Sequence, residues 1–291
     1  MSQKRCLTIQ DYSCLGRCSL SVAIPTISAC GIEAVGIPTA VLSNHTAFPE
    51  WTYQDLTDKM LPTVEKWMPY KHHFDGIYTG YLGNNQIPVV LDIIEKLRDR
   101  ATTVFVDPAF ADSGRIYPGF DQSHVSAMRK LITKADIILP NLTEACFLVG
   151  ERYPGDNFDE LFVNRLLQEL AALGPKKIII TGVSLNPGNV GCVFFDLQST
   201  KRFGKYGSTA YPEKFHGGGD LFASAFVSCM ILGIPLEQSM KIAHNYVHRA
   251  MGESVKDNDN GLYYGPEFEK AIPSLYRDLS SGLRKVNSDE D

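Results

Sequence analysis

Short apolar runs typical of buried strands alternate with longer stretches of helical apolar spacing along most of this 291-residue chain, and this alternation limits the fold more than any other feature. Strands are predicted at 6–10, 33–38, 76–79, 103–107, 137–139 and 177–181, with a strand pair within 190–203. Helices are predicted at 20–30, 53–67, 86–98, 124–134, 143–149, 159–173, 220–232, 236–251 and 268–283. Such alternation predicts an α/β fold, a doubly wound, mostly parallel sheet with helices on both faces.

The domain organisation follows from what the sequence lacks. It shows no internal repeat and no low-complexity linker, and the polar tail at 285–291 is expected to fray. An α/β fold of this length can form one unit. We therefore expect a single domain over 1–291.

Composition excludes several classes of function. Hydrophobic residues make up 44% of the chain and charged residues 21%, which is typical of a globular protein. A net charge of -5 without a long basic cluster argues against nucleic-acid binding. We find no secretory signal and no apolar run long enough to span a membrane. Seven cysteines fit reduced thiols, and Cys14 with Cys18 lacks the second pair of a zinc site. These features predict a soluble, cytoplasmic protein.

A run of three glycines before an acid is the sharpest candidate for a functional site. Gly217, Gly218 and Gly219 precede Asp220 and an apolar helical segment. Backbone N–H groups of such a run can converge on an anion, and the positive end of the helix dipole strengthens that attraction. The alternative is that Asp220 only caps the helix. The motif alone leaves both interpretations open.

Polar residues also follow several predicted strands, where α/β sheets bind ligands. Asn141 and Glu144, after the strand at 137–139, could help to organise a hydrated magnesium ion. Other polar groups follow the earlier strands: Asp11-Tyr12-Ser13, Ser43-Asn44-His45-Thr46, Thr79-Gly80-Tyr81 and Asp107-Pro108. Their recurrence favours a binding site over chance.

These motifs, in this order, resemble the ribokinase-like superfamily and, within it, the pyridoxal and pyridoxamine (vitamin B6) kinases. The resemblance covers nearly the whole chain. The motifs that carry it are Ser43 to Thr46, Thr79-Gly80-Tyr81, Asp107-Pro108, Pro140-Asn141 with Glu144, and Gly217 to Asp220. It implies an ATP- and Mg²⁺-dependent kinase that phosphorylates the 5′-hydroxymethyl group of pyridoxal, pyridoxamine or pyridoxine.

The resemblance also implies roles for single residues. Asp220 would be the catalytic base, and Gly217, Gly218 and Gly219 would form the anion hole for the transferred phosphoryl group. The remaining roles fall into three groups: Asp11, Ser13, Thr46 and Tyr81 for the substrate ring; Asp107, Asn141, Thr181 and Gly182 for the nucleotide; Glu144 and Asp107 for the metal. The sequence departs from the family at Asp11, where Ser is frequent, and at Gly218, where Thr is common.

Two further segments have competing interpretations. The loop at 110–119 could close over the phosphates, or it could be an ordinary surface loop. His244 and His248 are spaced four apart on a predicted helix but lack the acid of a metalloprotease motif, so we expect no metal there.

Three alternatives stay open at this point. A hydroxymethylpyrimidine kinase or a sugar kinase would use the same base and anion hole. A non-catalytic pyridoxal phosphate binding protein would have no use for a base at Asp220. The resemblance also suggests a homodimer, with a B6 vitamer and ATP as the small-molecule partners.

Overall fold

The computed structural model describes residues 3–70, 72–213, 215–257 and 264–289. The chain divides into two compact units. The first comprises 1–78 and 211–291, and the second comprises 79–210. The expected single domain over 1–291 stays a prediction.

Strands and helices alternate as the sequence predicts. The strands are β1 (Arg5–Ser13), β2 (Glu33–Leu42), β3 (Tyr53–Asp55), β4 (Gly76–Thr79), β5 (Thr103–Val106), β6 (Ala111–Asp112), β7 (Arg115–Ile116), β8 (Ile137–Ile138), β9 (Lys177–Val183), β10 (Asn189–Asp196) and β11 (Phe203–Thr209). The helices are α1 (Leu20–Ala29), α2 (Thr57–Trp67), α3 (Gln86–Leu97), α4 (Gln122–Ile132), α5 (Leu142–Val149), α6 (Glu160–Ala172), α7 (Gly218–Ile231), α8 (Leu236–Asp257) and α9 (Phe268–Asp289).

In the first unit, the strands follow the order β3-β2-β1-β4. β1 and β2 are parallel, and α1 connects them, which makes the predicted βαβ opening. β3 runs antiparallel to β2 at the edge. Helix α7 is apolar on all sides, with Leu221 to Cys229 buried, because α1 and α8 pack against it.

In the second unit, the order is β5-β8-β9-β10-β11. β5, β8 and β9 are parallel, whereas β10 pairs antiparallel with both β9 and β11. Ile178, Ile179 and Ile180 of β9 are fully buried, as expected of a strand covered on both faces. The predicted α/β fold class, with a mostly parallel sheet and helical connections, is confirmed.

Three local predictions are corrected. The helix predicted from 53 begins at Thr57, because residues 53–55 pair with β2 and the Asp55 carboxylate accepts a hydrogen bond from the Thr57 N–H. The loop at 110–119 contains the β6–β7 hairpin. The tail expected to fray from 285 continues α9 to Asp289. No helix within the described ranges is long and apolar enough to cross a bilayer.

Candidate active site

The glycine run begins helix α7, and its first residue is locked against a neighbouring loop. Gly217 has φ of 80°, and a Cβ there would lie 2.0 Å from the carbonyl oxygen of Arg17. Gly219, in contrast, is exposed, and a Cβ there would meet no atom within 4 Å. The first N–H groups of a helix have no intrahelical acceptor. The start of α7 therefore offers backbone donors to an anion on its open side.

Asp220 lies in the first turn of α7, and it does not cap the helix. The cap position is Gly217. The Oδ2 atom of Asp220 accepts a hydrogen bond of 2.9 Å from the backbone N–H of Ser19, 201 residues earlier in the chain. Of the two sequence interpretations, the capping role is therefore wrong.

The environment of Asp220 favours its protonated form. Loss of hydration raises the pKa of this carboxyl to about 6, the Ser19 N–H opposes the rise, and the negative charge of Asp11 adds to it. The side chain keeps partial contact with solvent. A carboxyl with this pKa can accept a proton at neutral pH and release it readily.

Asp11 lies beside Asp220 at an irregularity in β1. The register between β1 and β2 shifts between Gln10 and Tyr12, and such breaks re-aim the residue that they contain. The buried Asp11 carboxylate accepts hydrogen bonds from the hydroxyls of Ser19 at 2.5 Å and Ser13 at 3.1 Å. Burial raises its pKa, and the two hydroxyls oppose that rise. The structure thus brings Asp11, Ser13 and Asp220 together.

Ser19 joins these groups and was missed by sequence reasoning. It has φ of 51° and ψ of -134°, outside the small left-handed region open to side chains other than glycine. Such a conformation costs about 1–3 kcal/mol and occurs mostly at functional sites. A serine before an apolar helix is ordinarily interpreted as a helix cap. The sequence therefore gives no sign that Ser19 contacts Asp11 and Asp220.

The segment that contains Thr46 packs on the loop before α1. The ring of His45 lies so close to Gly16 that a Cβ on Gly16 would come within 2.1 Å of His45 Cδ2. The same ring packs against Phe48, with centroids 4.8 Å apart. Thr46 itself is exposed.

Tyr81, in the second unit, belongs to a column of stacked rings. Its ring stacks on Phe120 with centroids 5.4 Å apart, and Phe120 stacks on His124 at 3.8 Å. His124 is fully buried, with Nδ1 2.5 Å from Oδ1 of Asn84. Burial lowers the pKa of His124 to about 4, so the ring at the base of the column is neutral.

Asn141 and Glu144 form a capping box at the start of α5. The Asn141 Oδ1 accepts from the Glu144 N–H at 3.0 Å, and the Glu144 Oε2 accepts from the Asn141 N–H at 2.9 Å. The other carboxylate oxygen of Glu144 accepts from the N–H groups of Phe110 and Ala111. Burial raises the pKa of Glu144, although these three donors oppose the rise. This pair holds the loop before β6 against α5.

Thr181 and Gly182 lie within β9, which continues two residues past the strand predicted at 177–181. The β9–β10 register passes from Thr181 to Val183 and leaves Gly182 as the extra residue of a bulge. Gly182 has φ of 68°, is exposed, and has open space where a Cβ would lie. The Thr181 N–H donates to the Pro140 carbonyl, so this bulge lies beside the Asn141 cap.

Asp107 directly follows β5 and is 8% exposed. Its backbone N–H donates to the Thr79 carbonyl at 2.9 Å, which continues the strand pairing by one residue. The residue therefore stands at the carboxyl end of a parallel strand, as the sequence predicts.

The hairpin inside the predicted phosphate-covering loop is anchored to α5. The Gly114 N–H donates to the Thr143 hydroxyl at 3.0 Å. Gly114 has φ of 76°, and a Cβ on it would lie 2.7 Å from the Tyr153 ring. Only glycine suits this close approach, which fixes the β6–β7 turn.

The residues proposed for magnesium fit an ion held mainly by other ligands. The Asn141 amide donates to the Ala111 carbonyl, and both oxygens of Glu144 already accept backbone N–H groups. Among the residues that the structure describes, no group of three or more His, Cys, Asp or Glu side chains could hold a metal. Magnesium commonly retains waters and substrate phosphates as ligands, so an ion bound with a nucleotide would need few ligands from these residues.

Comparisons with known proteins identify the family. The family model of phosphomethylpyrimidine kinase matches residues 21–264. This chain belongs to the phosphomethylpyrimidine kinase family. A solved structure from Bacteroides thetaiotaomicron, described as a phosphomethylpyrimidine kinase in a crystal form with pyridoxal, is 34% identical with a TM-score of 0.89, covering 94% of this chain and 96% of the other.

Two further relatives of this kinase family carry the name pyridoxal kinase. The Dictyostelium discoideum enzyme is 26% identical over 283 residues, which cover 90% of this chain and 92% of the relative. The solved structure from Lactobacillus plantarum is 28% identical with a TM-score of 0.85, covering 94% and 97%. The resemblance to the pyridoxal kinases of the ribokinase-like superfamily is confirmed.

His244 and His248 have a role in packing within this kinase. Their rings stack with centroids 6.4 Å apart, and His248 packs on Tyr211 at 4.8 Å. Burial, together with His248, lowers the pKa of His244 to about 4.

Proposed function

We propose that this chain transfers the γ-phosphoryl group of ATP to the 5′-hydroxymethyl group of pyridoxal, pyridoxamine or pyridoxine. The observation that carries the proposal is Asp220, a partly enclosed carboxylate with a pKa of about 6 in the first turn of a helix opened by three glycines. This arrangement puts a base beside donors for an anion, which phosphoryl transfer to an alcohol requires. The names of the relatives support the acceptor.

In this mechanism the ionised Asp220 accepts the proton of the attacking hydroxyl. The Ser19 N–H holds Oδ2 of Asp220 and fixes the direction of the carboxylate. Backbone N–H groups of Gly218 and Gly219, at the start of α7, donate to the oxygens of the phosphoryl group. They stabilise the negative charge on these oxygens during the transfer. Gly217 shapes the turn that exposes these donors.

The acceptor ring is assigned to Asp11, Ser13, Thr46 and Tyr81. Asp11 and Ser13 are supported by their place beside Asp220, and Tyr81 by its aromatic ring, which stacks on Phe120. An aromatic face suits a planar pyridine ring. Thr46 rests on the resemblance alone.

We assign nucleotide binding to Asn141 at the start of α5, to Thr181 and Gly182 at the bulge of β9, and to Asp107. Magnesium bound with ATP would neutralise charge on the transferred phosphoryl group. Glu144 and Asp107 stay predicted contributors to the metal site. For Glu144 we infer an indirect part, because its oxygens hold the N–H groups of Asn141 and of the loop before β6.

The second candidate is a kinase of hydroxymethylpyrimidine, which the description of the matched family model favours. It would use the same base and the same helix start, so only the acceptor pocket distinguishes the two. A cytoplasmic location and a homodimer stay predictions; the dimer is tested by light scattering of the purified protein.

The test is phosphorylation of pyridoxal, pyridoxamine, pyridoxine and hydroxymethylpyrimidine in parallel, with ATP and magnesium. We expect a B6 vitamer to be phosphorylated, and Asp220→Ala to lower kcat by about 10²–10⁴-fold while vitamer binding persists. Asp58→Ala is the matched control, since its carboxylate is 72% exposed beside Lys59. If hydroxymethylpyrimidine alone is phosphorylated, it and not a B6 vitamer is the acceptor. If Asp220→Ala is as active as the wild type, Asp220 is not the catalytic base.

A further inference from the structure

Ser19 stands between two acidic side chains and donates to both. Its backbone N–H donates to Oδ2 of Asp220 at 2.9 Å, and its hydroxyl donates to Oδ1 of Asp11 at 2.5 Å. A serine before an apolar helix usually turns its hydroxyl towards the first helical N–H groups. Here α1 receives no side-chain cap, and the hydroxyl points back to β1.

The backbone of Ser19 is held in a conformation that favours glycine. Its φ of 51° and ψ of -134° orient the N–H towards α7, while its carbonyl accepts from Val22 and Ala23 at the start of α1. This conformation is fixed by two hydrogen bonds, one from the Ser19 N–H to Asp220 and one from the Ser19 hydroxyl to Asp11. A non-glycine residue persists in such a conformation only when its surroundings determine it.

We propose that Ser19 is a positioning residue that links Asp11 and Asp220 into one carboxylate pair and holds the base in its attacking direction. The inference rests on the proposed function for the role of Asp220 as base. It adds a residue that neither contacts the reacting atoms nor belongs to the glycine run.

The link has an electrostatic consequence. The Ser19 hydroxyl favours the ionised form of Asp11, and an ionised Asp11 raises the pKa of Asp220. The neighbouring Cys18 is neutral over this range, because loss of hydration and both acids raise its pKa strongly. The Arg17 guanidinium pairs with Glu269 at 3.0 Å. Removing the Ser19 hydroxyl should therefore protonate Asp11 more readily and lower the pKa of Asp220.

The experiment compares Ser19→Ala and Ser19→Gly with the wild-type protein. Both remove the hydroxyl, but glycine adopts the observed backbone conformation without a Cβ. Ser21→Ala is the matched control, because that hydroxyl donates to the carbonyls of Gly16 and Cys18 and to neither acid. The Asp220 carboxyl is titrated by NMR after ¹³C labelling of aspartate, with its signal assigned by Asp220→Asn. The pH profile of kcat/KM is measured with pyridoxal.

Both Ser19 variants should titrate Asp220 at lower pH, and the acid limb of kcat/KM should move with it. A shift of about half a unit would raise the share of activity kept at pH 5 about threefold. An unchanged Asp220 titration in folded Ser19→Gly would overturn the inference. If the titration moves but the acid limb does not, the link between Asp11 and Asp220 stands, but Asp220 is not the base, which overturns the positioning role of Ser19 and the proposed mechanism. If no acceptor reacts, the titration alone decides the role of Ser19.

Discussion

Replacing Asp220 by Asn should stabilise the folded protein at pH 8, and this gain should shrink as the pH falls. The folded pKa of Asp220, about 6, exceeds its ordinary value of 3.8, so the folded state binds the proton more strongly than the unfolded state. The wild type therefore loses stability as the pH rises through this interval. Asn is neutral throughout, and its amide oxygen can still accept from the Ser19 N–H.

The magnitude follows from the size of the shift. About two units correspond to about 3 kcal/mol at most. The partial exposure of Asp220 to solvent reduces this figure to about 1–2 kcal/mol. For a chain of this length, the melting temperature at pH 8 should rise by roughly 2–6 °C. The gain at pH 5 should be about half as large. At that pH the ionisation of Asp220 stabilises the unfolded wild type less than it does at pH 8.

The assay is thermal and urea unfolding of wild type and Asp220→Asn at pH 5 and pH 8, without nucleotide. Asp58→Asn is the control, since an exposed carboxylate should not produce the same pH-dependent gain. A gain that is equal at both pH values, or an Asn variant that is less stable at pH 8, would refute the raised pKa. Activity measured beside stability should fall in the same variant.

Three further predictions follow from close contacts. Gly217→Ala should lower stability by about 2 kcal/mol or more in urea unfolding, because its Cβ meets a carbonyl oxygen, whereas Gly219→Ala should fold normally. Glu144→Ala should lower the free energy of unfolding by about 3 kcal/mol or more in the same measurement, because three backbone N–H groups lose their acceptor. Glu144→Gln should lower it less. Phe120→Leu should raise the KM of the vitamer about 2–10-fold, with little change for ATP, because it removes the stack beneath Tyr81. An equal effect on both substrates would contradict this assignment of the column.

The sequence predicted those parts of the fold that depend on local pattern. The strand at 76–79 is found at the predicted residues, and all four of them are buried, as expected of a strand covered on both faces. The short strands β3, β6 and β7 were missed. Three or two residues carry no period of their own, and these segments become strands only by pairing with a neighbouring backbone.

The same distinction applies to the site. Asn141 and Glu144 have the spacing of a capping box, whereas our sequence interpretation assigns the pair only to the metal and the nucleotide. The donors that occupy the second oxygen of Glu144 come from residues 33 and 34 positions earlier, which no local pattern shows. Likewise, the glycine run reveals Asp220, but the contact with Ser19 spans 201 positions and depends on α1 packing against α7.

A raised pKa by itself does not distinguish a catalytic base from a structural acid. The number of hydrogen bonds that each carboxylate accepts does distinguish them. Both Asp220 and Glu144 have a raised pKa, chiefly because they lose hydration. Glu144 is held by three backbone donors on both oxygens, so proton transfer there would break the packing that it maintains. Among the described residues, the Ser19 N–H is the single donor to the Asp220 carboxylate, and it binds Oδ2. Oδ1 therefore can receive a proton without disturbing the fold, which is why the geometry favours Asp220 as the base.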